Sequence, residues 1–405
     1  MTVDQGIGPP DRSAELPAGV RHRTSIGEIA RLFLKLGVIG FGGPAAHIAL
    51  MEDEVVRRRG WLTRESFLDY VGATNLIPGP NSTELAIEIG RDRGGPAGLV
   101  VAGAAFIVPA TVIVAAIAWA YVRFGQLPAA VALLAGVKPV VIAIVAQALW
   151  RLAKTAVKNA WLAAVAVGSI AAVALGVHEL IVLASAAMLA IAMVAARARS
   201  SVVAPWFVLH ARGLRSSAGR DAALGVTVAA PVAVGLWPLF GIFLKIGSVL
   251  FGSGYVLLAF LRADLVQRLG WLTEQQLLDA VAVGQVTPGP VFTTATFIGY
   301  VLAGVPGAVV ATVGIFLPAF VFVALSGPLV PRLRRSRVAG AALDAVNAAS
   351  LGLMALVSWQ LARASLVNWT TLMIALGAAI LLATRRVNAA WIVVAGGVVG
   401  IALGG

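Results

Sequence analysis

The feature that most constrains this 405-residue sequence is a long internal repeat, in which residues 33–109 recur as residues 243–318. The shared motifs include Gly60-Trp61-Leu62-Thr63 with Gly270-Trp271-Leu272-Thr273, and Pro78-Gly79-Pro80 with Pro288-Gly289-Pro290. The offset is 210 positions (271 − 61) and slips to 209 at the Pro109/Pro318 pair (318 − 109). A period this long in an apolar chain is typical of the duplicated halves of a membrane transporter rather than of a short-repeat solenoid.

The composition favours the same class of protein. Hydrophobic residues make up 60% of the chain and charged residues 12%, whereas an ordinary globular domain has about 25% charged residues. The net charge is +13, but the 31 Lys and Arg residues fall between apolar stretches, which favours membrane topology over nucleic-acid binding. With no cysteine, disulfides and thiolate metal sites are excluded. We therefore expect an all-α polytopic membrane protein.

Loop charges predict the topology of the first repeat, residues 26–196. The polar tail, residues 1–25, carries no signal-peptide pattern and is expected in the cytoplasm. Residues 27–50 are broken at Gly40-Phe41-Gly42-Gly43-Pro44, and residues 64–93 are broken at Pro78-Gly79-Pro80. Each arm is too short for the ~20 residues that cross a bilayer, which favours two re-entrant hairpins over ordinary kinked spans. Four spans follow at about 96–122, 129–150, 160–177 and 180–196.

The second half is predicted to run in the opposite orientation. A basic cytoplasmic linker, residues 197–221, and an additional span at about 222–238 would bring the second repeat, residues 239–405, in from the outer side. The arginine triplet 57–59 is replaced in the second copy by the nearly neutral loop 262–274, as an inverted-topology repeat requires. The later spans are predicted at about 306–330, 338–362, 369–384 and 388–404.

The breaks are the expected binding site. Pro78 and Pro80 donate no backbone hydrogen bond, and Gly79 permits conformations closed to other residues. We expect the side chains of Asn81, Ser82 and Thr83 to cap the returning helix, with Thr293 and Thr294 in the same role in the second copy. Helix starts here, and at Gly42-Gly43-Pro44 and Gly252-Ser253-Gly254, would form an anion site without a charged side chain.

Four ionisable residues are added to this site. Lys35 and Lys245 are duplicated within apolar segments, where a cation is costly and usually functional; the alternative is that each reaches out to the lipid headgroups. Glu84 and Glu88 lie one helical turn apart and are candidate proton carriers, although Glu88 has nearby arginines with which to pair. Thr63 and Thr273 are predicted to cap helices. Glu52, Asp53 and Glu54 are expected to form a solvated charge cluster with the arginine triplet 57–59.

Phe41-Gly42-Gly43-Pro44, Gly60-Trp61-Leu62, Ile77-Pro78-Gly79-Pro80 and their second-half counterparts resemble the chromate ion transporter family over residues 26–404. The resemblance implies a bacterial inner-membrane secondary transporter that exports chromate, with sulfate as a related oxyanion. The family's motif positions fall on Gly42, Gly43, Pro44, Asn75, Pro78, Gly79, Pro80, Gly252, Gly254, Gln285, Pro288, Gly289 and Pro290. Gly254 stands where the first copy has Pro44, so the two first hairpins differ at this position.

We therefore expect chromate efflux driven by the proton motive force or the membrane potential. A sulfate importer or exchanger is the alternative within transport, and a membrane-embedded enzyme or lipid-handling protein is the alternative from another class. No nucleophile with its base is visible, so neither catalysis nor a cofactor or metal is expected. The expected partners are the oxyanion and the lipid bilayer, with no nucleic acid, and a homodimer is left open.

Overall fold

The computed structural model describes residues 24–41, 43–199, 234–251, 256–384 and 389–404. In the first repeat these residues form α1 (Ile26–Ile39), α2 (Pro44–Glu52), α3 (Arg64–Thr74), α4 (Asn81–Phe124), α5 (Pro128–Ala156), α6 (Ala160–Ala174) and α7 (Glu179–Arg199). In the second they form α8 (Leu236–Val249), α9 (Leu257–Leu261), α10 (Glu274–Val286), α11 (Thr294–Arg335), α12 (Arg337–Ser365), α13 (Trp369–Ala383) and α14 (Ala389–Gly404). A π-helical turn continues α2 (Asp53–Arg58) and another continues α9 (Arg262–Arg268), while a 3-10 turn (Val291–Thr293) precedes α11.

The two series of helices correspond one to one, so the repeat seen in the sequence is a repeat of structure. For example, α5 and α12 each have 29 residues and begin 209 positions apart (337 − 128). The helices expected after the hairpins are present in both halves within a few residues of their predicted bounds. The linker and most of the additional span at 222–238 lie outside the described residues, and Leu236–Pro238 belong to α8 rather than to that span.

The first break reverses the direction of the chain. Arg59 Nη1 lies 2.7 Å from Glu28 Oε1, and Lys35 Nζ lies 2.6 Å from Glu54 Oε1. Nearer the break, His47 Nε2 lies 2.9 Å from the Gly40 carbonyl oxygen. Such pairing is that of two antiparallel arms, so the kinked-span alternative is wrong for residues 27–50. Since α1 has 14 residues, it is about 21 Å long, which is short of the ~30 Å hydrocarbon core.

The second break is also a hairpin, and the chain reverses again within α4. Asn81 Nδ2 donates to Asn75 Oδ1 across the second break at 2.6 Å, and Arg93 Nη1 donates to the Trp61 carbonyl oxygen at the far ends of the arms at 3.2 Å. At Gly95 the backbone turns to φ 63° and ψ −152°, so α4 consists of two helical limbs rather than one 44-residue rod. An added Cβ at Gly90 would collide with Gly98 and Ala102, which shows that the limbs fold against each other through small residues. The second half repeats this turn at Gly304.

The two halves interlock. The long helices α4 and α11 pack against each other, while α5 packs on α13 and α14 and α12 packs on α6 and α7. Each half therefore uses the last two helices of the other half to bury its fifth helix. Because this burial is reciprocal, the breaks of both halves are brought to one centre.

Composition and length make this fold suited to a bilayer. Among the described residues, five segments are long and apolar enough to cross a membrane: Asn81–Phe124, Pro128–Ala156, Glu179–Ala196, Val291–Ser326 and Arg337–Ser365. Large apolar side chains such as Trp150, Trp237 and Trp391 are exposed on the outside. An apolar exterior of this extent indicates contact with lipid.

Candidate functional site

The two Pro-Gly-Pro breaks cross over between the halves. The Gly79 N–H donates to the Leu250 carbonyl oxygen at 2.8 Å, and the Gly289 N–H donates to the Gly40 carbonyl oxygen at 2.8 Å. Gly40 and Leu250 are equivalent positions in the repeat, each directly after the first helix of its half (250 − 40 = 210). Each break is therefore held by the broken helix of the opposite half.

Glycine is required at both breaks for reasons of backbone shape and space. Gly79 has φ 141° and Gly289 has φ 90°, which side chains with a Cβ rarely adopt. A Cβ at Gly289 would lie 2.6 Å from Ala110 Cβ, and one at Gly79 would collide with the Glu84 carboxylate. The flanking prolines, Pro78, Pro80, Pro288 and Pro290, supply no N–H to compete for the same carbonyl groups.

The predicted side-chain caps at the breaks are wrong. The N-cap of α4 is Pro80, with extended backbone and no side-chain cap, so Asn81 is the first helical residue and its amide turns back to Asn75. In the second half the Thr293 hydroxyl donates to the Pro290 carbonyl oxygen at 2.8 Å instead of accepting an N–H group. The reason is that Pro80, with its extended backbone, already occupies the N-cap position of α4, so the polar residues that follow it are inside the helix. Away from the breaks, the caps predicted at Thr63 and Thr273 are confirmed.

His47 is a member of the site that the sequence reasoning missed. Its ring is 1% exposed, and it joins the Gly40 carbonyl oxygen at Nε2 (2.9 Å) and Ser82 Oγ at Nδ1 (3.2 Å). Because a carbonyl oxygen can only accept, Nε2 carries the proton and Nδ1 of the neutral ring accepts from Ser82. The Gly40 carbonyl oxygen also accepts from the Gly289 N–H. Gly40 therefore connects its own break, the Pro-Gly-Pro break before Ser82 and the Pro-Gly-Pro break of the second half. A lone histidine three residues after Pro44 in an apolar segment was the available signal.

Glu84 and Glu88 have different surroundings although they lie on one face of α4. Glu84 is fully buried against the Gly79 loop, and neither of its carboxylate oxygens has a hydrogen-bond partner within the described ranges. The Glu88 carboxylate lies 2.5 Å from Arg91 Nη2, and Arg91 also donates to the Val323 carbonyl oxygen of α11 at 2.6 Å. Glu88 is thus paired, as the alternative interpretation expected, whereas Glu84 is the carboxyl group without a counter-charge. Thr83, beside it, also buries a hydroxyl without a partner.

The duplicated lysines pair with the π-helical turns. Lys35 Nζ lies 2.6 Å from Glu54, and Lys245 Nζ lies 2.5 Å from Asp264, the equivalent residue of the second half. The expected charge cluster forms, since Asp53 pairs with Arg58 and Glu54 pairs with Arg58 and Arg59. Glu54 itself is only 6% exposed, so the expectation that it is solvated is wrong. The π-helical turn that carries Glu54 belongs to none of the five long apolar segments. The hydrogen bond from Lys35 holds the pKa of Glu54 below its usual value, although burial acts to raise it. The side chains of Lys35 and Lys245 remain 48% and 27% exposed.

A second buried polar cluster was also missed from the sequence. Lys138 Nζ lies 3.2 Å from Asp279 Oδ1, and the Tyr121 hydroxyl donates to Asp279 Oδ2 at 2.9 Å, so α4, α5 and α10 are joined. Lys138 is 8% exposed and Asp279 2%. The first-half equivalent of Asp279 is Asp69, but Asn347 stands at the position equivalent to Lys138 (347 − 138 = 209). This ion pair therefore occurs on one side of the repeat only.

The remaining predicted site residues lie at the breaks or outside the described ranges. Gly43 is the N-cap of α2 with φ 78°, and Pro44 is its first residue. Asn75 ends α3, while Gln285 lies in the last turn of α10. Gly42, Gly252 and Gly254 lie outside the described residues.

The fold and the crossed breaks define a polytopic α-helical membrane protein of two related halves. The chain matches the chromate transporter family model over residues 27–194 and 237–401, and it belongs to that family. It is 32% identical to the chromate transport protein of Cupriavidus metallidurans over 404 residues, which is 97% of both chains. It is 31% identical to the probable chromate transport protein of Synechococcus elongatus (87% of this chain, 88% of the relative) and 31% identical to the chromate transport protein of Pseudomonas aeruginosa (82% and 80%). No solved structure matches the chain significantly.

Proposed function

We propose that this protein is a secondary transporter that exports chromate from the cytoplasm across the bacterial inner membrane. The observation that carries the proposal is the crossed pair of Pro-Gly-Pro breaks, in a chain whose family and similar relatives are named for chromate transport. A tetrahedral dianion needs hydrogen-bond donors that are fixed in place before it arrives. Helix starts supply such donors together with a positive dipole end, without a permanent charge.

The start of α4 is the best-supported part of the anion site. No side chain caps it, and the Thr83 N–H donates to the Pro80 carbonyl oxygen, so the N–H groups of Asn81 and Ser82 remain for a ligand. His47 and Ser82 hold this start beside the first break, and Gly289 approaches from the other half. We propose that movement of one half relative to the other exposes this centre first to one side and then to the other. Inverted halves, as the loop charges predict, would make the two states mirror each other.

The energetics favour export driven by the membrane potential. Moving one charge across 100 mV is worth about 2.3 kcal/mol, so a dianion leaving a negative interior gains about 4.6 kcal/mol. At about 1.4 kcal/mol per factor of ten, this supports a gradient of more than about a thousandfold. A proton is therefore not required by the energy balance, and its involvement must rest on a group that can carry it.

Glu84 is the proposed proton carrier. A buried carboxyl without a partner is costly in its charged form, so an approaching anion and an unpaired Glu84 carboxylate would exclude each other. Protonation of Glu84 removes that repulsion, which couples anion occupancy to proton occupancy. Glu88 does not meet this requirement in the described state, because Arg91 neutralises it. Lys35 and Lys245 are proposed to attract the dianion by exchanging their carboxylate partners for it.

The test is radiolabelled chromate uptake into everted membrane vesicles, in which export appears as uptake. Purified protein in liposomes then separates the two driving forces, by clamping either the potential or the pH gradient. We expect an inside-positive potential to drive uptake. Because the proton occupies the site together with the anion, we expect a medium more acidic than the lumen to increase uptake, and Glu84→Gln should abolish this response to pH while the response to potential remains. Glu88→Gln is the matched control on the same helix face. Equal responses to pH in wild type and Glu84→Gln would contradict the proton role, and sulfate uptake without chromate uptake would favour the sulfate alternative.

A further inference from the structure

A cavity with both apolar and polar walls lies beside the first-half breaks. Its volume is about 590 Å³, and its walls come from the end of α3, the end of α5 and the first half of α12. Its polar side chains are those of Asn75, Thr155, Lys158, Asp344, Asn347 and Ser350. Of these, Asn75 alone belongs to the predicted motifs, so five of the six residues have no role in the site described above.

Two of these side chains bury polar atoms that have no partner. Ser350 is 1% exposed, and its hydroxyl oxygen makes no hydrogen bond; the Asn347 carboxamide oxygen is likewise buried without a partner among the described residues. Orphan polar atoms of this kind are uncommon in native proteins and indicate an absent ligand or water. Each side chain carries a donor, since the hydroxyl rotates freely and the amide places its NH₂ on either side.

The polar groups of the cavity can receive an anion. Lys158 Nζ lies 2.7 Å from Asp344 Oδ1, and these side chains are 57% and 38% exposed. An ion pair at this exposure is weak, and the ammonium has three donor hydrogens, so it can contact an entering dianion while it stays near Asp344. The Asn75 amide donates one N–H to the Val71 carbonyl oxygen at 3.0 Å, which leaves its second N–H. This N–H, the Asn347 amide, the Ser350 hydroxyl and the Lys158 ammonium are the donors from which a tetrahedral oxyanion would accept.

The second half carries different groups at the equivalent positions. Gln285 stands at the position equivalent to Asn75 (285 − 75 = 210), and Val141 stands at the position equivalent to Ser350 (350 − 141 = 209). Lys138, the equivalent of Asn347, is paired with Asp279. The set of neutral donors is therefore not repeated in the second half. Arg151 and Lys154 come shortly before Lys158 in the sequence, and the positive-inside rule assigns this basic loop to the cytoplasm.

We propose that this cavity is the cytoplasmic loading site for a tetrahedral oxyanion dianion, held by Ser350, Asn347, Asn75 and Lys158. The proposal rests on the proposed function for the identity of the anion, but not for the existence of the site. Binding here brings the anion beside Asn75, whose carboxamide oxygen already accepts from Asn81 at the start of α4. Asn75 thus connects the cavity to the start of α4, which is part of the proposed anion site.

The test uses the absence of cysteine from the chain. Ser350→Cys and Asn347→Cys each introduce one thiol, which a negatively charged methanethiosulfonate reagent labels from the cytoplasmic side. Molybdate is the protecting probe, because it is a tetrahedral dianion that does not oxidise thiols as chromate does. We expect millimolar molybdate to slow labelling of both variants several-fold and chloride at equal ionic strength to leave it unchanged. Ser358→Cys is the matched control, since it lies on the same helix, has an unpartnered hydroxyl and does not line the cavity.

Flux measurements complete the test. A hydrogen bond to a charged group contributes enough that Ser350→Ala should raise the half-saturation concentration for chromate by about tenfold or more, while Ser358→Ala leaves it unchanged. Labelling that molybdate does not slow, or an unchanged half-saturation concentration in Ser350→Ala, would overturn the loading site even if wild type carries chromate. Protection by molybdate in a protein that moves no chromate would uphold the site and reject the proposed function.

Discussion

Replacing Gly289 by alanine tests the crossed breaks through two separable costs. A Cβ at a positive φ costs about 1–2 kcal/mol in the folded state. The same Cβ would lie 2.6 Å from Ala110 Cβ in α4 and 3.3 Å from the Gly37 carbonyl oxygen in α1. These clashes are relieved only if the backbone of a helix moves. Overpacking of this kind costs about 1–3 kcal/mol. We therefore expect Gly289→Ala to lower the free energy of unfolding by about 2–5 kcal/mol.

Gly60 is the matched control. It has φ 59°, but an added Cβ there would meet nothing within 4 Å, so Gly60→Ala carries the backbone cost alone. The difference between the two variants, about 1–3 kcal/mol, isolates the close approach of the halves. Unfolding in mixed detergent micelles measures both, and chromate flux in liposomes should be lost in Gly289→Ala only. Adding Ala110→Gly should recover the packing part. Equal destabilisation of the two single variants would refute the crossed packing.

Four further single variants and one double variant test the charged groups. Lys35→Gln and Lys245→Gln should each raise the half-saturation concentration for chromate by up to about tenfold, a loss of ~1.4 kcal/mol in binding free energy. Glu54→Gln, which removes a partner of Lys35, should lower the half-saturation concentration. Unchanged values in both lysine variants would leave these cations a structural role only. Lys138→Met should lower the free energy of unfolding by about 3–5 kcal/mol, because Asp279 is left charged and unpaired. Adding Asp279→Leu should restore most of that loss in the same unfolding assay, and failure to do so would show that the cost of Lys138→Met is one of packing.

The positions of the breaks and helices could be predicted because their signals are local. Proline and glycine act on their own backbone, and an apolar stretch marks a helix without knowledge of its neighbours. The same local rules placed the caps at Thr63 and Thr273 correctly. They failed at Asn81, where the extended Pro80 had already taken the cap position and a partner six residues away held the amide.

The polar clusters could not be predicted because their members are distant in sequence. Lys138 and Asp279 come from different halves, and nothing in either segment indicates the other. The arginines beside Glu54 predicted a solvated cluster, but Glu54 is buried and also pairs with Lys35 of the preceding arm, which the local sequence does not indicate. His47 was visible as a polar residue in an apolar segment, yet its importance comes from Gly40 receiving Gly289 of the other half.

Opposite orientation of the two halves is the premise on which alternating exposure of the crossed breaks depends. Single cysteines at Arg59 and Gln267, each at the end of a first hairpin, measure this orientation in the otherwise cysteine-free chain. Intact cells are treated with a membrane-impermeant thiol reagent before and after permeabilisation. We expect the cysteine at position 267 to react in intact cells and the one at position 59 to react only after permeabilisation. Reaction of both from the same side would contradict the inverted arrangement and the transport cycle built on it.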